Sequence, residues 1–155
     1  MTSLCCDLLH ALKGRTFSTA ESCTGGGIGS AFTAVPGSSD VYKGGVICYT
    51  NWVKVNILGV QGRTLAQYGA VSEQTAREMA VGVRRLMRTT MAVSVTGIAG
   101  PGTDERNTEI GTVYIGFADS SGSYAKEFHF SGDRESVRRS AVETAVKMLI
   151  EECRR

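Results

Sequence analysis

Ser22 stands in the run Glu21-Ser22-Cys23-Thr24-Gly25-Gly26-Gly27, where strand-forming residues give way to an amphipathic stretch. At such a junction the first N–H groups are not consumed inside the helix and can face a developing oxyanion, the setting of a serine nucleophile attacking a carbonyl carbon. For an isolated Ser-x-Thr-Gly-Gly segment the commoner role is plainer: Ser22 or Thr24 caps the helix and the glycines allow close packing. A nucleophilic serine also needs a base. Of the two histidines, His10 falls on the polar side of the first helical segment and His129 shares a strand face with Ala125 and Glu127, so a Ser-His-Asp triad is disfavoured. Lys54 is better placed. It follows Asn51, a good N-cap, and so falls in a first helical turn, where the positive end of the dipole favours the uncharged amine. Lys13, Lys43, Lys126 and Lys147 fall in helix or strand bodies, and a solvated side chain is the ordinary alternative for Lys54. Cys23 adjoins Ser22, but no His or Asn context supports a cysteine hydrolase.

A glycine-rich loop runs from Thr96 through Gly97, Ile98, Ala99, Gly100 and Pro101 to Gly102. Its spacing is neither GxGxxG nor a Walker A sequence, so the ATP and dinucleotide fingerprints are absent. Its backbone can still wrap a phosphate or ribose, although a tight turn accounts for the glycines equally well. Tyr49, Trp52 and Tyr68 carry rings able to stack on a ligand; for Trp52, packing in a core or interface is the expected role.

These loops need strands and helices to aim them. Leu4, Leu8, Leu9 and Leu12 recur at helical spacing up to Gly14; Arg15 to Ala20 suits a strand; Ile28, Ala31, Phe32 and Val35 mark a second helix, ended by Pro36-Gly37. Val41 to Tyr49 reads as a buried strand with a bulge or bend at Gly44-Gly45. A short helix follows from Asn51 to Gly59. Ser72 caps the clearest helix, with Ala76, Met79, Ala80, Val83, Leu86 and Met87 on its apolar face. Met91 to Val95 is a buried strand, and Val113 to Phe117 and Tyr124 to Phe130 form a hairpin. Asp133 caps a last helix bearing Val137, Ala141, Ala145, Met148 and Leu149. Strands alternating with helices predict an α/β fold, a mixed sheet with helices on both faces. Ligand-binding groups then gather at the strand ends, in Glu21 to Gly27, Tyr49 to Lys54 and Thr96 to Gly102.

A chain of 155 residues, 42% hydrophobic and 21% charged, suits one domain over residues 1–155. A net charge of +2 implies no nucleic acid or anionic membrane partner, and no apolar run approaches a bilayer span. The first residues lack the pattern of a signal peptide. Five cysteines without a CxxC pair indicate neither a disulfide framework nor a metal site, so reduced thiols in the cytoplasm are expected.

Taken in order, Ala20-Glu21-Ser22-Cys23-Thr24-Gly25-Gly26, Tyr49-Thr50-Asn51-x-x-Lys54, Gly69-Ala70-Val71-Ser72, Thr96-Gly97-Ile98-Ala99-Gly100-Pro101 and Gly111-Thr112-Val113 resemble the CinA C-terminal domain family, the nicotinamide mononucleotide amidohydrolases. The resemblance covers most of the chain, from Leu8 to Ile150. It implies a three-layer α/β/α sandwich. It also implies hydrolysis of the carboxamide of nicotinamide mononucleotide to nicotinic acid mononucleotide and ammonia, in pyridine nucleotide salvage, with no cofactor and no metal. Longer members add a domain resembling molybdopterin-binding proteins, and this chain is expected to be the stand-alone form. The resemblance carries a nucleophile to Ser22, its lysine partner to Lys54 and a supporting group to Tyr49. Glu21, Thr24, Gly25, Gly26, Asn51, Thr96, Gly97, Ile98, Ala99 and Gly100 become the expected substrate-binding residues.

The resemblance is imperfect after Gly102, where Thr108 and Glu109 replace a usual Lys-Pro pair. A lost cation and a gained anion weaken a phosphate site, and Arg106 is the nearby residue that could compensate. The expected partner is a small-molecule nucleotide, and self-association into a homo-oligomer is open. The rival readings are an amidase of another small amide and a catalytically silent nucleotide-binding module. Nucleic-acid binding, suggested only by the family's association with competence and DNA damage, ranks last.

Overall fold

A computed structural model describes residues 1–106 and 109–155. The elements in chain order are α1 (Thr2–Leu12), β1 (Phe17–Glu21), α2 (Gly27–Thr33), a 3-10 turn (Ser38–Asp40), β2 (Tyr42–Ile47), α3 (Asn51–Asn56), α4 (Gly62–Tyr68), α5 (Glu73–Met87), β3 (Met91–Gly97), β4 (Thr112–Asp119), β5 (Gly122–His129) and α6 (Arg134–Arg154). The strands form one sheet in the order β2-β1-β3-β4-β5. β2, β1 and β3 run parallel, while β4 and β5 are antiparallel additions. All three parallel strands therefore end on the same edge of the sheet, where the loops after Glu21, Ile47 and Gly97 converge.

Alternation along β1 divides two layers. Phe17 faces α1, α2 and α6, packing with Leu8, Leu12, Ile28, Phe32, Ala145 and Leu149. Ala20 faces the other side, with Met79 and Val83 of α5 and with Leu58 and Val60. Ser18 Oγ reaches the carbonyl of Val83, which confirms the face. The result is a three-layer α/β/α sandwich, as the alternation of elements predicted. Asp133 and Ser72 cap α6 and α5, accepting from Ser136 N and Thr75 N.

One glycine makes room between neighbouring strands and another lets α5 approach the sheet. A Cβ on Gly45 would stand 2.2 Å from Thr19 Oγ1, and one on Gly116 would stand 2.4 Å from the Ala76 carbonyl oxygen. The register of β1 on β2 slips between Phe17 and Ser18, giving the expected irregularity just before Gly44.

Several local expectations give way. β2 is an edge strand with alternating half-buried and exposed residues, not a buried one, because the sheet ends there. Thr50, not Asn51, caps α3, and α3 stops at Asn56 rather than reaching Gly59. Helix α4 had no apolar periodicity to announce it; it is a single short piece packed on α5. Trp52 is 65% exposed, which takes it out of the core of this chain, one of the two places expected for it.

Candidate active site

The ladder between β1 and β3 continues one residue past β1, with Ser22 N donating to the Val95 carbonyl at 2.9 Å. Strand alternation then turns the Ser22 side chain to the α5 side, the side on which Ser18 and Ala20 lie. The same thing happens across the sheet, where Cys48 N donates to the Glu21 carbonyl at 2.9 Å and fixes the chain entering α3. Lys54, on α3, reaches back over this edge. Its Nζ donates to the Cys48 carbonyl at 2.6 Å and lies 3.1 Å from Ser22 Oγ.

Lys54 is 2% exposed and Ser22 is 9% exposed. Burial lowers the pKa of Lys54 from its ordinary value, because a buried ammonium loses its hydration. Desolvation is the leading cause; the helix dipole expected from sequence does not supply it, because α3 is only 6 residues long and Lys54 falls in its last turn rather than its first. Nearby thiolates at Cys23 and Cys48 would oppose the shift, but burial pushes both thiols up to about 11, so near neutral pH they are uncharged and exert little pull. An amine freed of its proton can accept the Ser22 hydroxyl proton while still donating to Cys48.

The pair lies at the bottom of a cleft of about 260 Å³. Cys23 joins it at the base; Tyr49 and Asn51 stand on one side; Thr96, Gly97, Ile98, Ala99 and Gly100 stand on the other. Thr96 Oγ1 donates to the Ala70 carbonyl at 2.8 Å, anchoring that wall. Tyr49 is 61% exposed at the rim. Arg134 bridges the rim, donating to the Gly100 carbonyl at 2.6 Å and to the Tyr49 hydroxyl at 3.4 Å.

Four expected substrate contacts lie elsewhere: Glu21, Thr24, Gly25 and Gly26 do not line the cleft. The Glu21 carboxylate turns into the protein, accepting from Thr24 Oγ1 and Ile28 N at 2.8 Å each and from Gly29 N at 3.2 Å. Strand alternation sends Glu21 to the face opposite Ser22, so it supports the turn from beneath. Arg106 is not at the cleft either; its guanidinium holds the carbonyls of Ala66 and Gln67 at the end of α4. Thr108 lies outside the described residues, and Glu109 pairs with His129 at 3.6 Å. His10 and His129 are both exposed, away from Ser22.

Sequence reasoning missed Arg134, Arg138 and Asp104. Asp104 also lines the cleft, and Arg138 holds the Ser22 turn through the carbonyls of Cys23 and Thr24. The arginines lie far along the chain in α6, and only the order of the layers brings the start of that helix beside the first strand's end. Asp133 at the cap was the one signal that this helix began there. Among the described residues, no group of His, Cys, Asp and Glu could hold a metal, and no helix is long and apolar enough to cross a membrane.

Fold and site together define a three-layer α/β/α protein with a buried serine–lysine pair at the edge where its parallel strands end. Solved structures of the same architecture include a CinA superfamily protein from Klebsiella pneumoniae, 34% identical with a TM-score of 0.95, covering 99% of this chain and 97% of that one. A competence/damage-inducible protein from Agrobacterium tumefaciens is 39% identical with a TM-score of 0.93, covering 99% and 95%. The chain belongs to the CinA C-terminal domain family, whose model matches residues 2–153. A CinA-like protein of Rippkaea orientalis is 49% identical over 140 residues, which are 88% of this chain and 34% of that protein. The chain spans about a third of the length of the curated relatives it matches.

Proposed function

We propose that this protein is an amidohydrolase that deamidates nicotinamide mononucleotide to nicotinic acid mononucleotide and ammonia. The observation carrying this reading is the 3.1 Å approach of a buried lysine amine, biased towards its neutral form, to a serine hydroxyl at the base of a cleft. Lys54 takes the Ser22 proton as Oγ attacks the carboxamide carbon, and the carbonyl π electrons move onto its oxygen. The Lys54 ammonium returns the proton to the departing nitrogen, and the C–N bond breaks to release ammonia and an acyl-enzyme. Water, deprotonated by the same amine, then attacks the ester, and Ser22 leaves with its hydroxyl restored. The Cys23 N–H, at the base of the cleft, supplies a donor for the oxyanion. Tyr49 and Arg134 at the rim suit the sugar and phosphate end, where a guanidinium pairs with an anion. Ammonia release from nicotinamide mononucleotide by wild type, Ser22→Ala and Lys54→Ala tests this directly. Both variants should lose most turnover, and wild-type turnover by Ser22→Ala overturns the nucleophile.

A second reading has its own support. Asp104 brings a carboxylate to the lining and Arg106 is occupied elsewhere, which suits an uncharged amide better than a phosphate ester. A panel of carboxamides with and without phosphate separates the two readings.

A further inference from the structure

The turn carrying Ser22 is held from outside the cleft by α6. Arg138 Nε donates to the Cys23 carbonyl at 3.0 Å and its Nη2 to the Thr24 carbonyl at 3.3 Å. Cys23 lines the cleft, whereas Arg138 does not. The Thr24 carbonyl shares its amide with Gly25 N–H, and in a trans peptide the two point in opposite directions. Gly25 N–H donates to the Ser22 carbonyl at 3.1 Å. That carbonyl in turn shares its amide with Cys23 N–H, which donates to no backbone carbonyl among the described residues. A path of alternating donors and acceptors thus runs from the guanidinium, through two amides, to the Cys23 N–H beside Ser22.

We infer that Arg138 is a positioning residue for the oxyanion donor of Ser22, orienting and polarising Cys23 N–H through the Thr24–Gly25 and Ser22–Cys23 amides. The inference rests on the nucleophilic role of Ser22 proposed above. A charged donor makes the first bond stronger than a neutral one, and aligned amides polarise one another along the path. Orientation matters as much. Gly25 and Gly26 have φ of 60° and 97°, so the turn is built from permissive residues whose peptide planes rotate easily. A planar fork holding two successive carbonyls removes that freedom, which a point-like ammonium does less well. Glu21, on the same face of the sheet as α6, braces the turn as well, through Thr24 and the first N–H groups of α2.

The test compares the full chain as wild type, Ser22→Ala, Arg138→Met, Arg138→Ala and Arg138→Lys. Two rates are read: turnover of nicotinamide mononucleotide, and covalent capture of Ser22 by a fluorophosphonate, followed by intact mass. Arg138→Met should lower kcat and the capture rate about tenfold or more while KM stays within about twofold, with the lysine variant intermediate. Added guanidinium should restore part of the loss in Arg138→Ala and leave wild type unchanged. Wild-type kcat and capture in the variants overturn the assignment, and so does a raised KM at unchanged kcat, which would put Arg138 on the substrate. If Arg138→Met melts early, Arg138→Lys at wild-type Tm decides by the same comparison. A wild-type chain that neither releases ammonia nor is captured at Ser22 overturns the nucleophile itself. Capture of wild type and Arg138 variants at one rate overturns only the role of Arg138.

Discussion

Lys54 Nζ donates to the Cys48 carbonyl at 2.6 Å, a closer contact than the 3.1 Å to Ser22 Oγ. Cys48 is itself bonded to Glu21 of β1, so the carbonyl that orients the amine is fastened to the strand that delivers the serine. Base and nucleophile share one rigid edge. With one N–H committed to Cys48, the lone pair of the neutral amine is left for Ser22. Ammonia release should therefore rise with pH along a single titration, and its midpoint should fall below the ordinary lysine value of 10.5 because burial disfavours the charged form. Lys54→Arg should abolish the titration together with the activity, since a guanidinium stays charged. A flat wild-type profile between about pH 6 and pH 10 would remove Lys54 as the base.

The same burial makes Lys54 a liability to stability. In the unfolded chain the amine holds its proton up to about its ordinary value, whereas the folded chain gives it up earlier. Between the lowered value and 10.5 the unfolded state binds more protons, so stability rises with pH across that window and the full penalty is present below it. Lys54→Met should accordingly stabilise the fold near neutral pH, with the gain shrinking as pH climbs towards 10.5. Urea unfolding at the two ends of the window measures both arms.

Glu21→Ala removes a buried acceptor from Thr24 Oγ1, Ile28 N and Gly29 N. Stranding these donors should cost about 3 kcal/mol, and Ser22 should lose its aim in the fraction that remains folded. Chemical denaturation gives the first effect. The second appears as a fall in kcat under conditions where folding is complete.

Arg134 bonds Gly100 and Tyr49 at the rim rather than the Ser22–Lys54 pair. Arg134→Gln should raise KM for nicotinamide mononucleotide about tenfold with kcat nearly unchanged, and should leave KM for an uncharged carboxamide alone. Equal effects on both substrates would mean that the side chain shapes the loop instead of meeting the phosphate.

Cys23 touches the cleft yet is a poor nucleophile, because burial pushes its thiol up to about 11. At about pH 8 it should alkylate with iodoacetamide about 100-fold more slowly than an ordinary exposed thiol, since the thiolate reacts. Peptide mapping after timed labelling checks this. Fast labelling of Cys23 would mean that the cleft stabilises a thiolate.

The layered α/β architecture was legible because apolar spacing is a local property: Ala76, Met79, Ala80 and Val83 declare a helix face, and Val113, Ile115 and Phe117 a strand, wherever they end up. The polar residue at the end of β1 and the lysine after Tyr49 could be picked out in the same way, since strand-to-helix junctions leave donors unused. Helix α4 was silent, because a single short helix packed on a neighbour needs no amphipathic repeat of its own. Which side chains face the cleft was a tertiary matter. Glu21 and Ser22 are adjacent in the chain, yet strand alternation sends one carboxylate down to brace α2 and the next residue's hydroxyl towards Lys54. Arg134 and Arg138 arrive only because α6 packs on the same face of the sheet as α2. The depressed affinity of Lys54 for its proton likewise comes from burial by segments remote in sequence, a quantity that exists only once the layers have closed.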